Sequence, residues 1–203
     1  MPNTVESLDD IIFSCFYADI SVIEKALNSI FLEKIDSGGY LISKGILDLR
    51  LVNWGNPKHG AGNKQCVIYA PSSFDGMSVF VANSVDGWYT LVNRLCLILK
   101  ARCISVASAE DAQYPANSLR VYLNGESVRY VRSMLDGDKW DFLEKGDLQS
   151  FEDLSNYQRR KIKERLNRKI ICEYLLRIGI NIADEKFWHS IQPAIYLREM
   201  PKR

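Results

Sequence analysis

The spacing of apolar and polar residues predicts helices in the first forty residues of the chain. Ser7 and Asp10, and again Ser21 and Glu24, have the spacing of a capping box, in which a hydroxyl and a carboxylate bind free backbone N–H groups. After the second pair, one apolar stripe recurs at helical spacing and contains Val22, Ile23, Ala26, Leu27, Ile30 and Phe31. This stripe predicts a helix that packs on a core.

Short apolar runs between turn residues predict strands in the same half of the chain. Residues 45–54 predict one strand, and 66–70 and 77–82 predict two further core strands. The glycine-rich segment 55–62 between them predicts a loop. The run 11–17 fits either a helix or a short buried strand, because periodicity does not separate the two over so few residues.

The middle of the chain predicts a strand–helix–strand unit followed by hairpins. Asp86 is placed to cap a largely buried helix over 87–101, and a strand at 103–107 follows. Three antiparallel strands are then predicted at 119–123, 127–134 and 139–144. Asn124-Gly125 predicts a type I′ turn between the first two, because both residues tolerate positive φ, and Asp136-Gly137 predicts the second turn in the same way.

The C-terminal part predicts one long helix and a packed tail. Ser155 and Gln158 have capping-box spacing, and the helix is predicted over 158–177. Its apolar residues recur every four positions, at Ile162, Leu166, Ile170, Tyr174 and Ile178. Gly179 lies where a C′ glycine ends a helix, and Ile180 is placed for the apolar contact that follows. The tail 181–203 is apolar enough to predict that it packs back on the core.

The composition is that of an ordinary globular protein. The chain has 203 residues, of which 47% are apolar and 25% are charged, with a net charge of +1. Together with the predicted elements, this indicates a single α+β (mixed α/β) domain over 1–203, with a largely antiparallel sheet and helices packed on it. Neither a signal peptide nor an apolar stretch of roughly 20 residues is found, so we expect no membrane contact.

The cysteines indicate the compartment. Their number is odd, their spacing is wide, and each lies among apolar residues, at Cys15, Cys66, Cys96, Cys103 and Cys172. Buried, reduced thiols in the cytoplasm explain this pattern best. A catalytic or metal-binding thiol is the alternative.

No catalytic, metal or cofactor motif is recognised. His59 and His189 lack cysteine or carboxylate neighbours at zinc-ligand spacing, and we expect His59 to be a surface residue without a role and His189 to be a packed or capping residue. The loop 55–62 contains three glycines and Lys58 but lacks the Gly-Lys-Ser/Thr ending of a phosphate loop. We therefore expect a protein without catalysis and without cofactors, and an enzyme centred on this loop is a remaining alternative.

The most distinctive feature is a separation of charge near the C-terminus. Residues 136–153 hold seven acidic and two basic side chains, a net charge of −5, whereas 158–177 hold eight basic and two acidic side chains, a net charge of +6. The two stretches either neutralise each other as a salt-bridged surface or serve a partner. An acidic hairpin facing a basic protein makes these the partner-binding residues: Asp136, Asp138, Asp141, Glu144 and Asp147. Alternatively, the basic helix 158–177 contacts nucleic-acid phosphates, although it lacks interleaved aromatics.

Several motifs between residues 79 and 188 carry a family resemblance. They are 79–83 with Asp86-Gly87-Trp88, the turns Asn124-Gly125 and Asp136-Gly137, Lys139-Trp140-Asp141-Phe142 with Gly146, Phe151-Glu152, Tyr157-Gln158-Arg159-Arg160, and Arg165-Leu166-Asn167. In these the chain resembles immunity proteins of bacterial polymorphic-toxin and contact-dependent inhibition systems. The resemblance implies a small cytoplasmic protein that binds one toxin domain and neutralises it by occlusion, and it implies no catalytic residues. The alternative function is a nucleic-acid-binding or nucleic-acid-processing protein that uses the basic helix 158–177.

Overall fold

The structure, a computed structural model, describes residues 10–52 and 63–201. The strands in this part of the chain are β1 (Asp10–Phe16), β2 (Tyr40–Gly45), β3 (Gln65–Tyr69), β4 (Ser78–Ala82), β5 (Cys103–Ala109), β6 (Ala116–Leu123), β7 (Glu126–Asp136), β8 (Lys139–Gly146) and β9 (Ala194–Glu199). The α-helices are α1 (Ile20–Asp36), α2 (Tyr89–Leu99), α3 (Leu154–Tyr157) and α4 (Arg168–Arg177). Short 3-10 helices cover Leu49–Val52, Ile162–Glu164 and Glu185–Trp188.

One sheet joins all of these strands, in the order β2-β9-β3-β4-β1-β5-β6-β7-β8. Every neighbouring pair is antiparallel, which confirms the predicted α+β fold with an antiparallel sheet. The run 11–17, which the sequence left open, is the strand β1 near the middle of the sheet. In the part of the chain that the structure describes, no helix is long and apolar enough to cross a membrane.

Two hydrophobic cores lie on opposite faces of the sheet. On one face, Phe16 packs in a core with Leu27 of α1 and Leu95 of α2, and we call this the α1/α2 face. On the other, Phe13 packs in a core with Tyr174 of α4, and we call this the α4 face. Side chains alternate between the two faces along each strand. The register of the strands therefore decides which side chains each face presents.

Two predictions for the N-terminal part are wrong in detail. Ser7 lies outside the described residues, but Asp10 begins β1 and starts no helix there. The helix α1 begins at Ile20, after an N-cap at Asp19 that makes no side-chain hydrogen bond, so Ser21 lies inside the helix and does not cap it. The predicted apolar stripe is nevertheless confirmed, since its central residues are buried in the α1/α2 core.

The strand predicted at 45–54 is also wrong up to residue 52, and residues 53 and 54 lie outside the described residues. β2 ends at Gly45, and Leu49–Val52 is a 3-10 helix. Leu49 and Val52 are both buried, which fits a 3-10 turn because residues three apart point the same way. The backbone N–H of Asp48 donates to the hydroxyl of Tyr196, at 2.7 Å. This long-range hydrogen bond stabilises the turn, and no local sequence pattern predicts such a bond.

The middle of the chain follows the prediction. β3, β4, α2 and β5 occupy the predicted segments, but α2 starts two residues later and ends two residues earlier than expected, and it is buried on one face only, with Leu97 and Ile98 exposed. The carboxylate of Asp86 accepts a hydrogen bond from the backbone N–H of Trp88, at 3.0 Å, but Trp88 is the N-cap residue and has no side-chain cap, so Asp86 does not cap the helix as predicted. Trp88 itself has φ +54°, a left-handed conformation that is uncommon for a large side chain.

Both predicted hairpins are confirmed, with one correction to a turn. Asn124 and Gly125 have φ of +52° and +88°, as a type I′ turn requires. In the second hairpin, Asp136 pairs with Lys139, so the two turn residues are Gly137 and Asp138. Gly137 has φ +60° and supplies the positive φ of this turn. Asp136 is therefore the last residue of β7 and not part of the turn.

The continuous helix predicted over 158–177 is wrong. The short α3 ends at Tyr157, and α4 starts only at Arg168, after an N-cap at Asn167 that accepts a hydrogen bond from the backbone N–H of Ile170. The pattern of one apolar residue every four positions explains the error, because such a stripe turns by about 40° per step and by about 160° from Ile162 to Ile178. One straight helix therefore does not keep these residues on a single face.

The helix α4 ends as predicted, but the tail after it forms a strand that was not predicted. The backbone N–H groups of Gly179 and Ile180 donate to the carbonyls of Leu176 and Leu175, which confirms the glycine end of the helix. The tail packs back, as expected. It does so as β9, a strand between β2 and β3 that the sequence pattern did not predict.

Candidate partner-binding surface

The tip of the β7–β8 hairpin carries two of the predicted partner-binding carboxylates. The pairing of β6 with β7 ends at Met134, opposite Ala116, so the residues around the turn extend beyond β6. Asp136 and Asp138 are both exposed there. Neither forms an ion pair with another described residue. The tip is therefore a small, exposed acidic surface on a short turn.

The next two predicted carboxylates are already engaged. The carboxylate of Asp141 lies 2.8 Å from the guanidinium of Arg132. The carboxylate of Glu144 lies 3.0 Å from the guanidinium of Arg129. Asp147, the fifth residue, follows β8 and is exposed. The structure thus brings all five to one hairpin and its exit, but only Asp136, Asp138 and Asp147 are available to a partner without breaking an ion pair.

A buried polar cluster beneath this hairpin was missed by the sequence analysis. Arg129 and Glu152 are both buried and lie 3.0 Å apart. The hydroxyl of Tyr157 donates a short hydrogen bond to the same carboxylate, and the backbone N–H of Gln149 donates at 2.9 Å. Burial raises the pKa of Tyr157, and the neighbouring Glu152 carboxylate raises it further. A charged residue in a charge-rich stretch gives no signal that it is buried, so the sequence did not reveal this cluster.

Arginines of the basic stretch 158–177 donate hydrogen bonds to backbone carbonyls of the same chain. Arg165 donates to the carbonyl of Arg159, at 2.9 Å, and Arg177 donates to the carbonyl of Phe151, at 2.9 Å. The ion pairs described for the acidic stretch use Arg129 and Arg132, both in β7, and not this basic stretch. None of these ion pairs joins the two stretches, but the pKa of Asp153 is lowered by its hydrogen bond from Ser155 and by the charges of Arg177 and Arg159. The predicted basic helix is divided into separate pieces.

A second surface, which we call the open sheet face, lies on the α1/α2 face beyond α2. Its half-buried side chains come from β5 to β8 and are Ser105, Ala107, Ser118, Arg120, Tyr130, Arg132, Met134 and Leu143. The guanidinium of Arg120 lies 4.6 Å from the ring centre of Tyr89 and 4.0 Å from that of Tyr130. Arg120 also donates to the hydroxyl of Tyr89, at 2.8 Å. This face thus combines basic and aromatic groups, which the stretch 158–177 was expected to lack.

The remaining chemical candidates form no site in the described residues. Burial raises the pKa of Cys15 and Cys66, so these thiols keep their protons at neutral pH. No group of three or more histidine, cysteine or carboxylate side chains is placed to hold a metal ion in the described ranges. His189 is exposed and therefore not packed, and its backbone N–H donates to the carbonyl of Lys186 at the C-cap of the last 3-10 helix. The loop 55–62, with His59, lies outside the described residues.

One recess of about 250 Å³ opens at the start of α1. Its polar lining includes Asp19, Ser21, Ser72, Asp75 and Gln192. Two carboxylates lie beside the positive N-terminal end of α1 there. Their negative charge opposes that of the helix end, so the recess selects neither anions nor cations. The recess therefore indicates no particular ligand.

The sequence matches no protein-family model and no curated protein, and no solved structure matches the fold. The resemblance to immunity proteins thus stays a prediction.

Proposed function

We propose that this chain is a cytoplasmic, non-catalytic protein of the immunity type, which binds a cognate toxin domain and neutralises it by occluding its active site. The observation that carries the proposal is the acidic tip, where Asp136 and Asp138 are exposed on a short turn beyond the end of β6. The class of partner, a toxin domain, is inferred from the resemblance to immunity proteins between residues 79 and 188.

The chemistry of such a partner fits an acidic tip. A toxin that attacks nucleic acids needs a basic cleft for the phosphates. An inhibitor with carboxylates on a projecting turn gains both association rate and selectivity from that cleft, because opposite charges steer the encounter and like charges reject wrong partners. Asp147 adds a further exposed carboxylate at the other end of β8.

The experiment uses as test partner a toxin domain found encoded next to the gene for this chain, and the absence of any such domain would argue against the proposal. The full chain is mixed with that domain, and both the association rate and the residual toxin activity are measured. The variant Asp136→Lys/Asp138→Lys is expected to associate about tenfold or more slowly at low salt, with a smaller difference in about 0.15 M salt.

A matched control separates local steering from net charge. The variant Glu33→Lys/Asp36→Lys makes the same change of charge at exposed positions of α1, which packs beside β2 at the opposite edge of the sheet. It is expected to associate much like the natural chain. Equal slowing in both variants would argue against the tip as the contact, and failure to inhibit the toxin at all would argue against the immunity function.

A second candidate function is nucleic-acid binding at the open sheet face. The observation in its favour is the placement of Arg120 between Tyr89 and Tyr130 on an uncovered part of the sheet, since basic and aromatic groups together bind single strands. Sub-micromolar binding of a fluorescent single strand in about 0.15 M salt, lost on Arg120→Ala, would favour this function. Binding that vanishes at that salt concentration would leave the immunity proposal as the better one.

A further inference from the structure

β8 forms one outer edge of the sheet. It pairs with β7, and no other described strand lies on its far side. Asp136 and Lys139 flank a two-residue turn, so the backbone groups of Lys139 point toward β7. Because an antiparallel ladder alternates, the backbone N–H and C=O groups of Trp140, Phe142 and Glu144 point away from β7. In the described part of the chain, no backbone hydrogen bond outside the ladder uses these groups.

The side chains along this edge alternate in charge. Lys139, Asp141, Leu143 and Lys145 lie on the α1/α2 face of β8, and the extended backbone ends at Gly146, which has φ +79°. Charged side chains on an edge strand usually prevent it from pairing with another chain. To prevent pairing with a second copy of β8, like charges have to lie opposite each other in every register that the free backbone groups allow.

We propose that β8 pairs antiparallel with β8 of a second copy of this chain, about a two-fold axis at Leu143. In this register Asp141 of each copy lies opposite Lys145 of the other. The two Leu143 side chains meet at the axis. Phe142 and Glu144 then exchange backbone hydrogen bonds across the pair. A two-fold interface of this kind uses the same surface on both copies and closes on itself.

The other registers are disfavoured by charge. A shift by one residue is excluded, because outward-pointing backbone groups would face inward-pointing ones. A shift of the opposite residue by two positions places Lys139 against Lys145 in one direction and Glu144 against Glu144 of the second copy in the other. A shift by four positions places Asp141 or Lys145 against itself. Among the registers that pair five or more residues, only the proposed one avoids like charges directly opposite each other.

The proposed interface is small, so the dimer is reversible. Only one strand of eight residues from each copy pairs, so the area buried is smaller than that of a permanent interface. The turn carrying Asp138 lies beyond the paired residues and stays exposed in the dimer. Dimerisation is therefore independent of the proposed toxin binding, and either one survives the failure of the other.

Sedimentation of the full chain over a range of concentrations tests the proposal, with two complementary variants. The acidic-edge variant is Lys139→Glu/Lys145→Glu, and the basic-edge variant is Asp141→Lys/Asp147→Lys. Each alone is expected to dimerise at least about tenfold more weakly than the natural chain, because its opposed pairs become repulsive. Mixed together, they restore opposite charges and are expected to form a heterodimer.

Two further measurements complete the test. Lys163→Glu/Lys169→Glu matches the charge change of the acidic-edge variant at exposed positions outside β8, and it is expected to dimerise like the natural chain. Glu144→Pro removes an outward N–H from the edge, whereas Glu144→Ala keeps it, so only the proline variant is expected to lose the dimer. A natural chain that stays monomeric, or edge variants that do not form the heterodimer, would overturn the proposal.

Discussion

Arg129 of β7 and Glu152 of the loop before α3 form an enclosed ion pair, with 3.0 Å between Nη2 and Oε2 and side chains that are 3% and 0% exposed. The loop that carries Glu152 is thereby attached to the sheet beneath the acidic hairpin. A buried ion pair is costly to break, because the remaining partner is left as an unpaired charge. The first prediction follows from this geometry.

Glu152→Ala is expected to lower the free energy of unfolding by about 3–5 kcal/mol, since it leaves the Arg129 guanidinium buried without its main partner. Asp141→Asn, which breaks the exposed pair with Arg132, is expected to cost at most about 1 kcal/mol. Urea unfolding monitored by tryptophan fluorescence measures both. Equal losses in the two variants would show that the enclosed pair contributes no more than the exposed one.

Two glycines with similar backbone conformations are expected to differ in their tolerance of alanine. Gly76 and Gly146 have φ of +72° and +79°, but a Cβ at Gly76 would meet nothing within 4 Å, whereas one at Gly146 would lie 1.9 Å from the carbonyl oxygen of Val128. Gly76→Ala is expected to cost about 1–2 kcal/mol from the positive φ alone. Gly146→Ala is expected to cost about 1–3 kcal/mol more, from the clash. Thermal unfolding of the two variants gives the comparison.

The thiols are expected to react in an order set by burial. Cys15, Cys66, Cys96 and Cys103 are buried and Cys172 is half-buried, and all five are free. Burial raises the pKa of Cys172 as well, but its partial exposure gives a reagent access. Alkylation of the native chain followed by mass spectrometry is expected to label Cys172 first, and the unfolded chain is the control. A mass lower by two hydrogens per bridge under non-reducing conditions would contradict five reduced thiols.

Reversing the tip is expected to leave the fold stable. Asp136→Lys and Asp138→Lys each change an exposed carboxylate without an ion pair to a described residue, so each is expected to cost within about 0.5 kcal/mol. Asp141→Lys is expected to cost more, because it replaces the ion pair with Arg132 by a repulsion. If Asp136 and Asp138 instead balanced Arg159, Arg160 and Lys163, the double reversal would lower the melting temperature.

Local chemistry made the two hairpins predictable from the sequence. Asn124-Gly125 has the backbone freedom that a type I′ turn needs, and such a turn determines how its flanking strands pair. The end of α4 at Gly179 follows from the same kind of reason, since glycine adopts the left-handed conformation without strain. The segments β3, β4, α2 and β6 to β8 were also predictable, because an apolar run, an alternating pattern and a helical period are local properties of the sequence.

Long-range contacts decided what the sequence pattern did not show. β9 lies between β2 and β3, and a short apolar run near a chain end does not indicate which strands it will pair with. The stretch 158–167 has helical spacing but is held by bonds to β7 and to itself, such as the one from Ser133 to the carbonyl of Ile162. Packing and buried hydrogen bonds outweigh local propensity there.

The candidate site shows the same division. The sequence by itself determined that acidic side chains cluster at 136–147 on a hairpin, because charge and turn residues are both local properties. Only the tertiary structure decided which of them are available, by placing Arg132 beside Asp141 and Arg129 beside Glu144 while leaving Asp136 and Asp138 exposed. The physical reason is that an ion pair depends on distance in space, and neighbouring strands bring together residues that are far apart in sequence.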